Sequence, residues 1–534
     1  MTLPKRTRRA RIVLFCAHAK YNNGMNTTVY KNATIVTGLS VAERTLGFLY
    51  RVVLSRLIGA EGLGLYGVAL SLFSLFLTIG TGGIPITVSR MISKNNAEND
   101  PLSSRRVLSA GIIASLCLTL PVCLFFFLFG NHLPFLFADA RAFDVFKILL
   151  FGLCFSSVYA VFRGYFWGNK NFLTPSVLEL AEEIVMVVFG VLLLRDVQTP
   201  LSGATKASYA VLISYLFSFT ASLLCFLVKN GKFSSPKNTL KPLFNASLPI
   251  TSVRASGSLV NSAVAVLLPV MLVRSGLSYA EATATFGVVS GMVLPVLFIP
   301  STLIGSMALV LVPELSEDFY KTNTARLTKN IERGLRFSFL VSCALIPFFF
   351  ALGEDFGKIA FSNADAGRLI KISAPILMPM CLTMISTSML NSMGFEKQTF
   401  AFYFVGAGSL LSCILFLPRF CGIYAYLIGM FSSFLLTALC NLVFLFKRCP
   451  VHKNLKKEGK SVLLPCLIAT LSSSLFGAFL SGLLPSFFGE ITAFVLTGVC
   501  VFFFLCAFLF ACGVLPVPFR NSSPKKPNAK TNKA

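Results

Sequence analysis

The sequence predicts an all-α, polytopic membrane protein, and three observations carry that prediction. Of 534 residues, 55% are hydrophobic and only 13% are charged, against about 25% charged in soluble globular chains. The apolar residues fall in runs long enough to cross about 30 Å of hydrocarbon, which takes about 20 helical residues. The 47 Lys and Arg, source of a net charge of +26, gather in the short segments between those runs, as the positive-inside bias requires.

Taken in order, the runs fall near 33–57, 64–92, 107–130, 143–166, 172–194 and 205–228, then 244–272, 283–312, 334–352, 368–393, 398–418 and 421–446, and finally 461–484 and 489–512. About fourteen transmembrane helices follow. Gly80, Gly82, Gly83 and Pro85 interrupt the second, and Pro295 with Pro300 interrupts the eighth, where flexible or donor-less residues break a helix. Arg163 closes the fourth, before the turn Gly168-Asn169-Lys170-Asn171. With the N-terminus inside, 33 Lys and Arg lie in cytoplasmic segments and 9 outside; both termini are therefore expected in the cytoplasm of a multi-pass cell-membrane protein. Residues 1–31 hold seven basic residues and no acidic one and read as a disordered basic tail, with Met25 resembling a natural start; 513–534 form a second basic tail.

An internal repeat organises the rest. Gly64-Leu65-Tyr66-Gly67-Val68 aligns with Ala284-Thr285-Phe286-Gly287-Val288, and Phe166–Phe172 aligns loosely with Ser392–Phe400, at an offset of about 220 residues. Six helices separate the copies, so the halves keep one orientation, as parallel transporter repeats do. The expected organisation is two pseudo-symmetric six-helix lobes, 32–240 and 241–455, plus two extra helices in 456–512.

Several function classes are excluded. A nucleic-acid surface would not confine its positive charge to loops. Fifteen scattered Cys without a C-x-x-C, and three His without ligand spacing, support neither a disulfide framework nor a metal site. No cofactor is expected. A membrane glycan polymerase would want a sizeable extramembrane loop with acidic and His residues, and the longest internal loop, before the ninth helix, has about twenty residues.

Charges inside the apolar runs carry the functional signal. Arg44 and Arg51 stand seven residues apart in the first helix, nearly two turns, so both project from one stripe. An Arg at a membrane-helix centre costs about 2.5–3.5 kcal/mol, so the pair predicts a cationic, partly wet cavity whose guest is an anion. Arginine binds phosphate oxygens bidentately and stays charged when desolvated. Arg254, in the seventh helix, is the third candidate. The structural alternative is that Arg44 pairs with Glu182 or Glu183. Glu179, Glu182 and Glu183 share one face of the fifth helix by their i, i+3, i+4 spacing. Glu182 and Glu183, with Glu43, are expected as counter-ions or ion-coupling groups, and Glu179 as an interfacial residue. Arg163 is expected as a headgroup anchor or gate. Arg56 lies about 140° round the helix from Arg51 and reads as snorkelling. The loop basic residues are expected to meet anionic lipids.

Several ordered blocks resemble the stage V sporulation protein B-like proteins. They are Leu46-Gly47-Phe48 with Tyr50-Arg51, Arg56-Leu57-Ile58-Gly59-Ala60-Glu61-Gly62, Gly83-Ile84-Pro85-Ile86, Arg163-Gly164-Tyr165-Phe166 with Thr174-Pro175, Leu248-Pro249-Ile250-Thr251 with Arg254, Gly287-Val288 with Gly291-Met292, and Val312-Pro313-Glu314-Leu315-Ser316-Glu317. The resemblance spans roughly residues 30–510. It implies the superfamily of multidrug and toxin extruders, oligosaccharide-lipid flippases and lipid II flippases. It also implies a non-enzymatic exporter moving a polyprenyl-diphosphate-linked glycan or peptidoglycan precursor outward by alternating access. In similar lipid II flippases, cavity arginines hold the diphosphate, and the matching positions here are Arg44, Arg51 and Arg254. Two positions depart from the pattern: Val264, where relatives carry an acidic residue, and Met186, where they often carry a basic one. A drug or cation antiporter on the same fold is the alternative.

Overall fold

The computed structural model describes the backbone of residues 6–132, 137–449, 452–486 and 489–511, and side chains over 35–130, 132, 137–308, 310–449, 464–485 and 489–511. The tail expected at 513–534 lies outside the described residues. Among them every regular element is helical, in the order α1 (Arg6–Thr81), α2 (Ile84–Ala97), α3 (Pro101–Phe129), α4 (Arg141–Gly168), α5 (Leu173–Leu193), α6 (Pro200–Val228), α7 (Leu240–Arg274), α8 (Tyr279–Gly287) and α9 (Leu294–Leu297). Then follow α10 (Pro300–Tyr320), α11 (Thr324–Phe361), α12 (Ala364–Ser373), α13 (Leu377–Ser392), α14 (Glu396–Phe416), α15 (Pro418–Cys421), α16 (Tyr424–Arg448), α17 (His452–Leu483) and α18 (Glu490–Ala511).

Twelve of the described segments are long and apolar enough to cross a membrane. Two features separate that count from fourteen. The segment Ile35–Ala97 enters as one span although it bends twice, and α5, at 21 residues, carries three carboxylates. The chain is a multi-pass membrane protein.

The expected loop between the first two helices shrinks to one residue. Gly59 takes φ 68° and ψ −176°, a left-handed conformation that costs a side-chain-bearing residue and that glycine adopts freely, so α1 turns an elbow there and continues. At its other end, the stretch expected as a disordered tail is helical from Arg6. No proline interrupts the chain between Pro4 and Pro85, which leaves the backbone free to propagate the helix.

Both expected helix breaks are present. Gly82 and Gly83 separate α1 from α2, and Pro85 sits in the first turn of α2, where its missing N–H is not needed. The reason for glycine at this point is the crossing of α7. The Gly83 N–H donates to Thr251 Oγ1 at 2.9 Å, and any side chain on Gly83 would overlap the Ser247 carbonyl. Further along, α8 passes into a wide π-turn over Val288–Val293 before α9 and α10.

The two segments expected from the sequence to repeat one another, around Gly64 and around Gly287, meet each other. A side chain on Gly64 would strike the Thr283 carbonyl, and one on Gly287 would strike the Ala60 carbonyl and the Gly64 backbone. Small residues let membrane helices approach backbone to backbone. Alongside, α7 is tied to α1 by Ser262 Oγ donating to the Ser71 carbonyl at 2.7 Å and by Thr78 Oγ1 with Ser258 Oγ at 2.8 Å.

The chain divides into two compact units. The first comprises Met1–Val296, Ala360–Ser362 and Ala407–Met430; its core packs Ile84, Val88, Phe162, Phe166 and Phe226 from α2, α4 and α6. The second comprises Leu297–Ile359, Asn363–Gly406 and Phe431–Ala534, with Phe339, Cys343, Cys466 and Leu505 in its core.

Candidate functional site

Within the first unit, α1, α4, α5 and α6 enclose a cavity of about 230 Å³. Glu43 enters it from α1 before the elbow, and Leu77 and Thr81 from α1 after it. From α5 come Glu179, Glu182 and Glu183, delivered together because i, i+3 and i+4 positions share a helix face. Tyr159 and Arg163 of α4 and Tyr215 of α6 complete the polar wall.

Local packing explains how a carboxylate-bearing helix fits here. A methyl group at Gly47 would sit 2.8 Å from Glu183 Oε1, so the bare backbone of α1 makes room for that carboxylate. Higher up, the Tyr50 ring fills the space that a side chain on Gly190 would need. Arg163 Nη1 donates to Glu179 Oε1 at 2.9 Å, while its guanidinium lies 5.1 Å from the Trp167 ring centre. Arg163 Nε and the hydroxyls of Tyr50 and Tyr159 are buried without a hydrogen-bond partner among the described residues.

Four carboxylates therefore face one guanidinium. An excess of negative charge in a membrane interior is costly, so the arrangement attracts a proton, a cation or a cationic group. Among the described residues no group of three or more His, Cys, Asp or Glu is arranged to hold a metal ion.

The structure thus brings together Glu43, Glu182 and Glu183, and adds Glu179, which had been expected at the interface. Arg163 joins them as an ion-pair partner. Its pairing was available in the sequence: Arg163 and Glu179 stand eight residues either side of Asn171, and the two helices of a tight hairpin place such residues at equal depth. Tyr159 and Tyr215 carried no comparable signal, since an aromatic residue in an apolar run reads as packing.

Arg44, Arg51 and Arg254 do not line this cavity. All three are exposed, and none is within ion-pair distance of a carboxylate among the described residues. The alternative pairing of Arg44 with Glu182 or Glu183 is not formed. Glu43 and Arg44 are adjacent, so about 100° of helix rotation separates the residue that enters the cavity from the one that does not. Arg51 shares the stripe of Gly47, the residue against which Glu183 leans. Arg254 shares its α7 face with Ser247, Thr251, Ser258 and Ser262, the residues that contact α1 and the α1–α2 break.

Comparison with solved structures finds the fold again. The lipid II flippase MurJ in an inward closed conformation matches with a TM-score of 0.68 at 15% identity, covering 90% of this chain and 100% of that one. An inward-facing multidrug resistance MATE family transporter of the MOP superfamily matches at 0.64 and 16%, covering 76% and 94%. In sequence, the chain is 24% identical over 365 residues to Stage V sporulation protein B of Bacillus subtilis (strain 168), spanning 66% of this chain and 70% of that protein. To the lipid II flippase MurJ of the same strain it is 22% identical over 427 residues, spanning 74% and 78%. The model of the polysaccharide biosynthesis protein family matches residues 29–319, more than half of the chain, and the protein belongs to that family.

Proposed function

We propose that the protein is a flippase that moves a polyprenyl-diphosphate-linked oligosaccharide or peptidoglycan precursor outward across the plasma membrane by alternating access, in polysaccharide, cell-wall or spore-wall biosynthesis. It performs no bond chemistry. The observation that carries this reading is the α1 stripe: Arg44 and Arg51 are exposed and, among the described residues, without a carboxylate partner, within a membrane-spanning segment, where a charge without a purpose is costly. A diphosphate supplies the missing partner, held bidentately by Arg44 and Arg51, with Arg254 contributing from α7. Glu43, Glu182 and Glu183 take up the coupling ion, or balance these cations from beyond ion-pair distance. Arg163 holds Glu179 in place at their base. Both termini are cytoplasmic in this reading, and the basic loops rest on anionic lipids. Membership in a polysaccharide biosynthesis family and likeness to a lipid II flippase support it.

Depletion of the protein tests it, with measurement of which polyprenyl-linked sugar accumulates on the cytoplasmic leaflet. Arg44→Ala is expected to abolish transport at unchanged membrane abundance; normal transport by that variant overturns the assignment. The acidic cavity and the MATE-family fold favour a second reading, a cation or drug antiporter. It prevails if depleted cells accumulate a dye or drug and no lipid-linked sugar.

A further inference from the structure

We propose that the second unit carries a binding site for a zwitterion with a primary ammonium and an anionic centre, of which the phosphoethanolamine headgroup of a membrane lipid is the fitting example. The site is a cavity of about 370 Å³ where the ends of α11 and α17 meet α12 and the start of α18, a volume within the usual range for small-ligand pockets. It shares no residue with the acidic cavity of the first unit and does not rest on the transport reading.

Five charged groups face this space: Glu354, Asp355 and Lys358 on the last turns of α11, Lys371 on α12, and Glu490 at the head of α18. Two of them satisfy each other. Lys371 Nζ lies 2.9 Å from Glu354 Oε1 and 5.5 Å from the Phe350 ring centre, so that pair is committed. The carboxylates of Asp355 and Glu490 and the ammonium of Lys358 remain, and none of the three is within ion-pair distance of an opposite charge among the described residues.

That remainder selects the ligand. A simple anion drawn to Lys358 would meet two carboxylates. A simple cation drawn to those carboxylates would meet Lys358, and a metal ion lacks a ligand set here. A molecule carrying both charges satisfies all three groups. Carboxylates accept hydrogen bonds, so a primary ammonium with three N–H donors fits better than a quaternary one.

A lipid is a natural source because, Ser481 apart, the rest of the wall is apolar. Ala351, Ile359, Ala478 and Pro485 line it. The residues next in sequence to Ala478 and Glu490, Phe479 and Ile491, are 66% and 67% exposed, as chain-facing residues at a membrane boundary are.

The test uses full-length protein stripped of lipid in detergent, with binding read by native mass spectrometry and by the thermal midpoint. Phosphatidylethanolamine, phosphatidylcholine, phosphatidylglycerol and soluble glycerophosphoethanolamine are titrated in turn. Phosphatidylethanolamine is expected to bind about tenfold tighter than the other two lipids, the scale of one charge-assisted hydrogen bond. The double variant Asp355→Asn/Glu490→Gln is expected to abolish that preference. Should it fail to fold, Lys358→Gln, at an exposed position, is expected to reduce phosphatidylethanolamine binding by about the same factor. Binding of glycerophosphoethanolamine assigns the site to any such zwitterion, and binding of the lipid alone assigns it to the headgroup with its chains. Equal binding of phosphatidylethanolamine and phosphatidylglycerol, a preference that survives the double variant, or phosphatidylethanolamine binding unchanged in Lys358→Gln overturns the proposal.

Discussion

Removing one partner of the Arg163–Glu179 pair and then both gives the sharpest test of how the acidic cavity is held. At 2.9 Å and an effective dielectric of about 20, the attraction is about 6 kcal/mol, while taking the two ions out of water costs several kcal/mol each. The intact pair is therefore close to neutral in its net contribution, and its two halves are not. Breaking a fully buried pair costs about 3–5 kcal/mol. Here the side chains are 29% and 23% exposed, and that solvent access brings the expected cost of Glu179→Gln or Arg163→Gln down to about 2–3 kcal/mol. The double variant Arg163→Gln/Glu179→Gln is expected to recover most of that loss, because neither half of the pair is then left without the other. Thermal unfolding of the purified protein in detergent measures all four members of the cycle. Additive losses in the double variant would refute the account, since independent effects would mean that the two groups do not see each other.

Three further perturbations address other parts of the molecule. Gly64→Ala and Gly287→Ala each drive a methyl group into backbone, an overpacking cost at or above about 3 kcal/mol; the double variant is expected to cost less than the sum, and unchanged melting of either single variant would contradict the close crossing. Asp100 caps α3, its Oδ1 accepting from the Ser103 N–H at 2.9 Å and its Oδ2 from the Ser103 hydroxyl at 2.5 Å, and these hydrogen bonds hold its carboxyl below the ordinary value of 3.8. A lowered carboxyl contributes above its unfolded value and is lost as pH falls through the folded one, so amide protection in the first turn of α3 is expected to fade on acidification below about pH 4 and to lose that dependence in Asp100→Asn. Arg51→Ala is expected to lose transport at least tenfold at unchanged abundance, the scale of one charge-assisted phosphate contact; a reconstituted flipping assay decides it.

How much of this was legible in the sequence varies with the kind of signal. Helix breaks were legible because their cause is local: Gly82, Gly83 and Pro85 interrupt a helix whatever surrounds them, and so do Pro295 and Pro300. Gathering Glu43, Glu182 and Glu183 was partly legible, because i, i+3, i+4 spacing fixes a shared face on α5 though not what that face meets. Glu183 meets α1 only because position 47 is glycine, and that reason lies on a different helix. The elbow at Gly59 was hidden in a glycine-rich run, Gly59, Gly62 and Gly64. These glycines have different tasks: Gly59 supplies a positive φ, while Gly64 supplies clearance for the Thr283 carbonyl. Composition treats them alike, and only the backbone separates them.

The division of charge along α1 is what distinguishes the two transport readings. Glu43 points into a cavity with excess negative charge, and one residue later Arg44 points away from it, so a single helix presents opposite signs in two directions. An antiporter of cations needs the Glu43 side of that helix, and loss of Arg44 or Arg51 would leave its site more negative and its affinity no weaker. A carrier of diphosphates needs the Arg44 and Arg51 side, and loss of Glu43 would leave those guanidinium groups with less competition for the anion. Arg44→Ala is therefore expected to move transport in opposite directions under the two readings, and Glu43→Gln to do the same unless Glu43 takes up the coupling ion, which makes their comparison more decisive than the loss of activity in either alone.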